Sequence, residues 1–240
     1  MNIRKIMCGV KQRVFKLKAS ITKKDVAVLM FHEVCPLNEA DNPSLSITFT
    51  SFKRVILAMK DDRMFSSIDG ILTSNQKIAV ITFDDAYANI LVEAVPFLVD
   101  EKIPFAIFVC EELINQPNYL SSDDINYLKT IKLCSLQFHS RRHCFLSKLS
   151  KTNFINEISC DVFNKEFDLH CKYLAYPYGS VFASFRSDLN KVCKQYELAF
   201  STVDSWFSFK YAKKHKYFLP RINISENTIN TFLKKMKIID

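Results

Sequence analysis

Short apolar segments of strand length recur along this chain, and nearly every one is followed at once by a residue able to do chemistry. Val26–Phe31 leads into His32, Ile78–Phe83 into Asp84 and Asp85, and Leu133–Phe138 into His139 and then His143. Tyr173–Tyr176 leads into Pro177-Tyr178-Gly179, Leu198–Val203 into Asp204, and Tyr217–Leu219 towards Arg221. In parallel α/β sheets and barrels, catalytic and ligand-binding groups gather beyond the carboxyl ends of the strands. Residues distant in sequence therefore converge on one mouth. Adjacent carboxylates and two histidines at such a mouth point to a metal site with a spare base.

Helical patterns lie between these segments. Thr50–Lys60 carries Phe52, Val55, Ile56 and Met59 on one face, and Tyr87–Asp100 reads as a helix interrupted by Pro96. Ser122-Asp123 caps a helix through about Thr130. Lys151 to Phe167 predicts one longer helix, with Phe154, Ile155, Ile158, Val162 and Phe163 inward. Helices over 182–196 and 226–237, and a strand at Phe105–Cys110, complete the series. This alternation predicts βα units with right-handed crossovers in a mainly parallel sheet or barrel. The longest irregular stretches, 34–49 and 204–217, both border candidate site residues.

Charge divides the chain in two. Of 33 basic side chains against 25 acidic, eight basic ones and no acid fall within residues 1–24, so the whole formal +8 resides there. Ile3, Ile6, Met7, Val10, Val14 and Leu17 give this leader an apolar helical face. A basic amphipathic helix suits an anionic membrane surface; the same period also describes a helix packed on the domain with its basic face in solvent. Residues 25–240 form a single domain without net charge, which excludes an extended basic track for nucleic acid. No stretch approaches the roughly 20 apolar residues that span a bilayer. The amino terminus lacks the apolar core and cleavage site of a secretory signal, so the expected location is cytoplasmic or at the inner membrane face. Eight cysteines without a CxxC pair then read as mostly buried free thiols.

Two motifs carry the chemistry. In Thr82-Phe83-Asp84-Asp85-Ala86-Tyr87, two adjacent carboxylates at a strand end can divide labour, one binding a metal and the other accepting a proton. Taken alone, one of them equally serves as a helix cap. In His139-Ser140-Arg141-Arg142-His143, imidazoles four apart on a turn can bind one divalent ion. Together the motifs supply a His2Asp facial set with open positions.

The chain resembles the NodB-homology polysaccharide deacetylases of carbohydrate esterase family 4. Thr82–Tyr87 is similar to their TFDDG(Y/W) motif, and His139–His143 to H(S/T)xxH, followed by Phe145–Ser150 as in their second motif. Tyr176-Pro177-Tyr178-Gly179 resembles the third motif, and Leu219–Ile222 a late element. The resemblance implies a distorted (β/α) barrel, preceded here by the basic amphipathic helix. It implies that Asp85, His139 and His143 hold one divalent metal, usually zinc, that Asp84 is the general base, and that the Tyr178 backbone N–H stabilises the oxyanion. Tyr87 and Pro177 are then expected at the substrate. Asp204 and Trp206 suit hydroxyl bonding and ring stacking, although an indole in a loop also serves packing.

Three departures from the pattern stand out. Ala86 replaces the usual glycine, which strains the turn unless its φ is negative. Ala175 lies where many members have the arginine that orients the base; Arg221, from another strand end, is the candidate replacement. A late LxH histidine is absent, and His32 after the first strand resembles that motif moved to the front, as in the permuted subgroup with an amino-terminal catalytic acid. The expected activity is removal of an N-acetyl group from an acetamido sugar in a surface-glycan or lipid-linked precursor. The alternatives are a silent sugar-binding domain and an amidohydrolase or deformylase acting on a non-polymer substrate.

Overall fold

The computed structural model describes residues 23–179 and 193–238. The expected leader helix and most of the expected helix over 182–196 lie outside the described residues. The strands are β1 Val26–Phe31, β2 Met64–Phe65, β3 Ile78–Phe83, β4 Phe105–Val109, β5 Cys134–Phe138, β6 Tyr173–Ala175, β7 Leu198–Asp204 and β8 Leu219–Asn223. The α-helices are α1 Phe49–Asp62, α2 Gly70–Thr73, α3 Ala94–Asp100, α4 Ser122–Thr130, α5 Lys151–Ile158, α6 Asp161–Phe167, α7 Phe209–Lys214 and α8 Ile229–Lys235.

Seven strands close on themselves. Parallel pairing runs from β1 through β3, β4, β5, β6, β7 and β8 and back to β1, while the two residues of β2 lie beside the start of β3. The result is a (β/α) barrel, and strand alternation explains why its strands are continuously apolar. Val28, Val80, Phe108, Ala175, Phe200 and Leu219 fill the interior, while Leu29, Ile81, Ile107, Leu174 and Ile222 face the helical layer. Against that outer face α1 buries Phe52, Val55, Ile56 and Met59. The Phe31 and Phe52 rings meet edge-on at 4.9 Å. Each such side chain contributes roughly 1.5–3 kcal/mol on burial.

Helix ends follow local chemistry. Thr48 caps α1, and Ser121 caps α4 in a reciprocal box with Asp124, so the cap lies one residue before the expected Ser122. The expected helix over 87–100 becomes a 3₁₀ turn, Ala88–Leu91, followed by α3. Pro96 sits in the first turn of α3, where its missing N–H costs nothing, but its ring crowds the carbonyl of Val92 and prevents continuation. The expected helix over 151–167 breaks at Ser159-Cys160. There the freed Ile158 carbonyl accepts from Tyr196 Oη at 2.7 Å and Gln195 Nε2 at 3.0 Å. Cys35, Cys110, Cys134, Cys144, Cys160 and Cys171 are free thiols. No described helix is long and apolar enough to cross a membrane.

Candidate active site

The inward-facing rows of the barrel end in polar residues. Continuing the interior positions of β1, β3 and β5 by one inward step brings His32, Asp84 and His139 to the same mouth. Backbone pairing locks them there. Asp84 N–H donates to the Phe31 carbonyl at 2.9 Å, setting His32 beside Asp84, and His139 N–H donates to Val109 at 2.8 Å. Just past the strands the chain turns sharply, with positive φ at Asp85, Ala86, Ser140, His143 and Tyr178. These turns aim the next side chains back over the mouth.

Asp85, His139 and His143 converge, with candidate ligand atoms all within 4.8 Å of one another. Asp85 Oδ1 lies 3.1 Å from His139 Nε2 and 3.0 Å from His143 Nε2. His139 Nδ1 lies 2.9 Å from the Ala175 carbonyl. A carbonyl only accepts, so Nδ1 carries a hydrogen and Nε2 is the ring atom turned towards Asp85. Buried Asp85 Oδ1 has no hydrogen-bond donor. Two imidazole nitrogens meeting one buried carboxylate oxygen suit a cation, and the donor set suits zinc or a similar divalent ion. Metal analysis is expected to find one divalent ion per chain. His139→Ala and His143→Ala should each abolish its retention, and undiminished content in both proteins would remove the assignment.

Asp84 stands behind this triad and is held from below. Arg221 Nη1 and Nη2 donate to its two carboxylate oxygens, each at 2.6 Å, and Arg221 Nε donates to Ser201 O at 3.1 Å. Arg221 is 0% and Asp84 2% exposed, so this is a fully desolvated fork. Arg221 is the inward residue of β8 one level below the mouth. Burial, the largest single influence, would raise the Asp84 carboxyl, but Arg221 together with His139 and His32 holds it below its usual range. Burial lowers the His32 imidazole, although Asp84 and Asp85 pull it the other way. For His139 the two carboxylates outweigh burial and raise the imidazole.

The third-motif turn borders the outer ligand. Tyr178 has φ 57°, and its ring lies 4.7 Å from His143 and stacks on Phe145 at 4.0 Å. Tyr178 is 51% and Phe145 47% exposed, so this ring pair forms part of the rim. Gly179 follows with φ +57°, and a Cβ there would meet Thr202 Oγ1 at 1.9 Å, so only glycine fits. Pro177 is buried. Tyr87 is buried against Tyr119, with ring centroids 4.7 Å apart; burial, the Tyr119 bond and Asp85 all push its phenol up.

Two expected substrate residues are elsewhere. Trp206 stacks on Phe232 of α8 and lies 4.5 Å from the Arg63 guanidinium. Arg63 in turn bonds the carbonyls of Lys24, Asp25 and Ile78 at the amino ends of β1 and β3, the end opposite the mouth. Asp204 pairs with Lys235 of α8 at 3.3 Å, after an irregularity in the β7–β8 register. Glu33 was not singled out from the sequence. It is buried beside His32 and accepts from Asp41 N–H, Asn42 N–H, Ser46 Oγ and Asn89 Nδ2, which ties the loop after β1 to the mouth. Its signal was an acid directly following a strand-end histidine. Ala86 adopts φ 66°, the conformation that favours glycine. Ala86→Gly is therefore expected to stabilise the fold by about 1 kcal/mol in denaturant titration, the cost of a left-handed alanine.

A family model described as polysaccharide deacetylase matches residues 72–199. No curated protein matches the chain. Among solved structures, the Streptococcus pyogenes deacetylase PplD in complex with acetate is 23% identical with a TM-score of 0.73, covering 88% of this chain and 97% of that one. IcaB from Ammonifex degensii is 17% identical with a TM-score of 0.70, covering 90% and 98%. A de-N-acetylase from Aggregatibacter actinomycetemcomitans is 16% identical with a TM-score of 0.68, covering 88% and 99%. At these identities the structures establish a shared fold, and the family match spans more than half of the sequence; the chain belongs to the polysaccharide deacetylase family.

Proposed function

We propose that this chain is a metal-dependent hydrolase that removes the N-acetyl group from an acetamido sugar in a surface-glycan or lipid-linked precursor. The observation that carries the reading is the division of labour at one mouth: Asp85, His139 and His143 converge as ligands, while Asp84 is held apart by Arg221. A divalent ion such as zinc, when bound, supplies Lewis acidity to the amide carbonyl and lowers the pKa of water to about 7. Asp84 takes a proton from the attacking water. Its pairing with Arg221 keeps the carboxylate ionised and fixes its direction. The Tyr178 backbone N–H serves the carbonyl oxygen as that atom gains negative charge. His32 gives its proton to the sugar nitrogen as the C–N bond breaks, and acetate leaves. Tyr87 and Pro177 flank the substrate.

Release of acetate by the zinc-reconstituted protein from a panel of lipid-linked, nucleotide-linked and polymeric acetamido sugars tests the reading. Failure across the panel, with metal bound and fold intact, would sink it.

In the same proposal residues 25–240 are the catalytic unit and residues 1–24 an electrostatic tether to the inner face of an anionic membrane. The net charge concentrated in the leader supports this. Removing residues 1–20 is expected to weaken binding to anionic vesicles and to leave hydrolysis of a soluble substrate unchanged. Equal vesicle binding by both forms would favour a leader packed on the domain.

A further inference from the structure

His143 reaches the triad on a turn that its own residues do not favour. It holds φ 52°, and Ser140, which opens the turn, holds φ 69°. Left-handed backbone costs free energy at any residue larger than glycine, so such a turn persists only where its surroundings fix it. The groups that fix this one come from two sides. Towards the loop after β4, Ser140 O accepts from Glu111 N–H at 3.2 Å. Arg141 O accepts from Glu112 N–H at 2.8 Å and from the Cys110 thiol at 3.3 Å. His143 N–H closes the turn on itself, donating to Ser140 Oγ at 3.2 Å.

The N–H groups of Arg141 and Arg142 both converge on Glu157, in the last turn of α5. Its carbonyl accepts from Arg141 N–H at 3.0 Å, and its Oε1 from Arg142 N–H at 2.6 Å. Its Oε2 accepts from Arg142 Nε at 2.9 Å, and the Cys144 thiol bonds the same carboxylate. Glu157 is only 1% exposed. Glutamate is almost never buried so completely unless it is paired, and here its partners flank His143, two before it and one after. The break in the helix serves the same contact. In an unbroken helix over 151–167 the Glu157 carbonyl would be taken by Asp161 N–H. Because α5 ends at Ile158, that carbonyl is left for Arg141.

We infer that Glu157 is the positioning residue for His143: it grips the chain on both sides of that histidine and so holds Nε2 beside Asp85 Oδ1, 3.0 Å away. This rests on the reading of Asp85, His139 and His143 as a divalent-metal triad. His139 is oriented in another way, through its ring, by the Ala175 carbonyl. Each histidine thus has a support of its own, and loss of Glu157 loosens one ligand of three.

The test uses the full chain, stripped of metal and titrated with cobalt(II), whose visible spectrum reports the ligand set. Glu157→Ala and Glu157→Met, the second of which keeps the volume, are each expected to bind cobalt about 10- to 100-fold more weakly and with an altered spectrum, the usual loss when the group behind a ligand is removed. Glu157→Gln keeps an oxygen for Arg142 N–H, and Arg142→Ala keeps the N–H itself, so both should bind close to the parent. Phe154→Leu, a core change one turn earlier in α5, is the control for lost stability. It should lower the denaturant midpoint and leave cobalt affinity and spectrum unchanged. Equal weakening by Phe154→Leu and the Glu157 variants would assign Glu157 to fold stability alone and overturn the proposal, as would parent-like cobalt binding by Glu157→Ala or Glu157→Met. Amide hydrogen exchange on the metal-free proteins gives an independent reading. Faster exchange at Arg141 and Arg142 in Glu157→Met than in Phe154→Leu supports the grip on His143 even if the parent binds no cobalt, a result that overturns only the metal reading. Equal exchange in the two overturns the grip itself.

Discussion

An Asp84→Asn protein is expected to keep its metal and to lose turnover by about 10²–10⁴-fold, because an amide cannot take a proton from water. The structure adds a second consequence. Arg221 is wholly buried, and both arms of its guanidinium end on Asp84. Taking away one charge leaves the other unpaired in the barrel interior, which costs on the order of 3–5 kcal/mol. The single variant should therefore be less stable as well as slow. Replacing both charges, as in Asp84→Asn with Arg221→Met, should recover most of the stability, since a buried pair exchanged for neutral groups is often close to neutral. It should not recover turnover. Denaturant titration and acetate release on the three proteins separate the two roles. A double variant that regains activity would show that the loss came from misfolding, and that Asp84 is not the base.

The strands and their ends were legible because the barrel buries both faces of each strand. Short apolar runs then stop abruptly at the first residue that reaches the mouth, and β1 and β3 have the bounds that their runs predict. His32, Asp84 and His139 could be read from that rule. Arg221 could be named as a candidate but its partner could not. Pro220 and Arg221 interrupt the apolar run, so the sequence gives no sign that the strand continues to Asn223. Trp206 misled because a polar loop after a strand normally stays near the mouth. Here the chain doubles back, and Phe207 pairs with Val26 through bonds of 2.9 and 3.2 Å at the amino end of β1. The break between α5 and α6 was equally invisible, since the residues that take the freed Ile158 carbonyl, Gln195 and Tyr196, lie far along the chain. The backbone angle of Ala86 is likewise a property of its turn, and the motif alone left open whether that turn is strained.

His32→Ala is expected to retain metal and to lose turnover on an acetamido sugar by a factor on the order of 10²–10⁴, the usual scale of a general acid. An amine is a poor leaving group unless it is protonated as the C–N bond breaks, so this reaction depends on a donor at the nitrogen. The Phe31–Asp84 backbone bond of 2.9 Å sets His32 beside Asp84, and its immediate electrostatic neighbours are Asp84, Asp85, Arg221 and His139. A loss on the amide alone would not separate a proton donor from a residue that merely shapes the mouth. An activated aryl acetate ester makes the distinction. Its phenolate leaves without protonation, so the acid contributes nothing, while the metal triad, Asp84 and the Tyr178 N–H are all still required. His32→Ala should therefore hydrolyse the ester within a few-fold of the parent, and Asp84→Asn should fail on both substrates. Equal losses on amide and ester in His32→Ala would instead assign the histidine to binding or to the shape of the site, and the proton for the departing amine would have to come from another group at the same mouth.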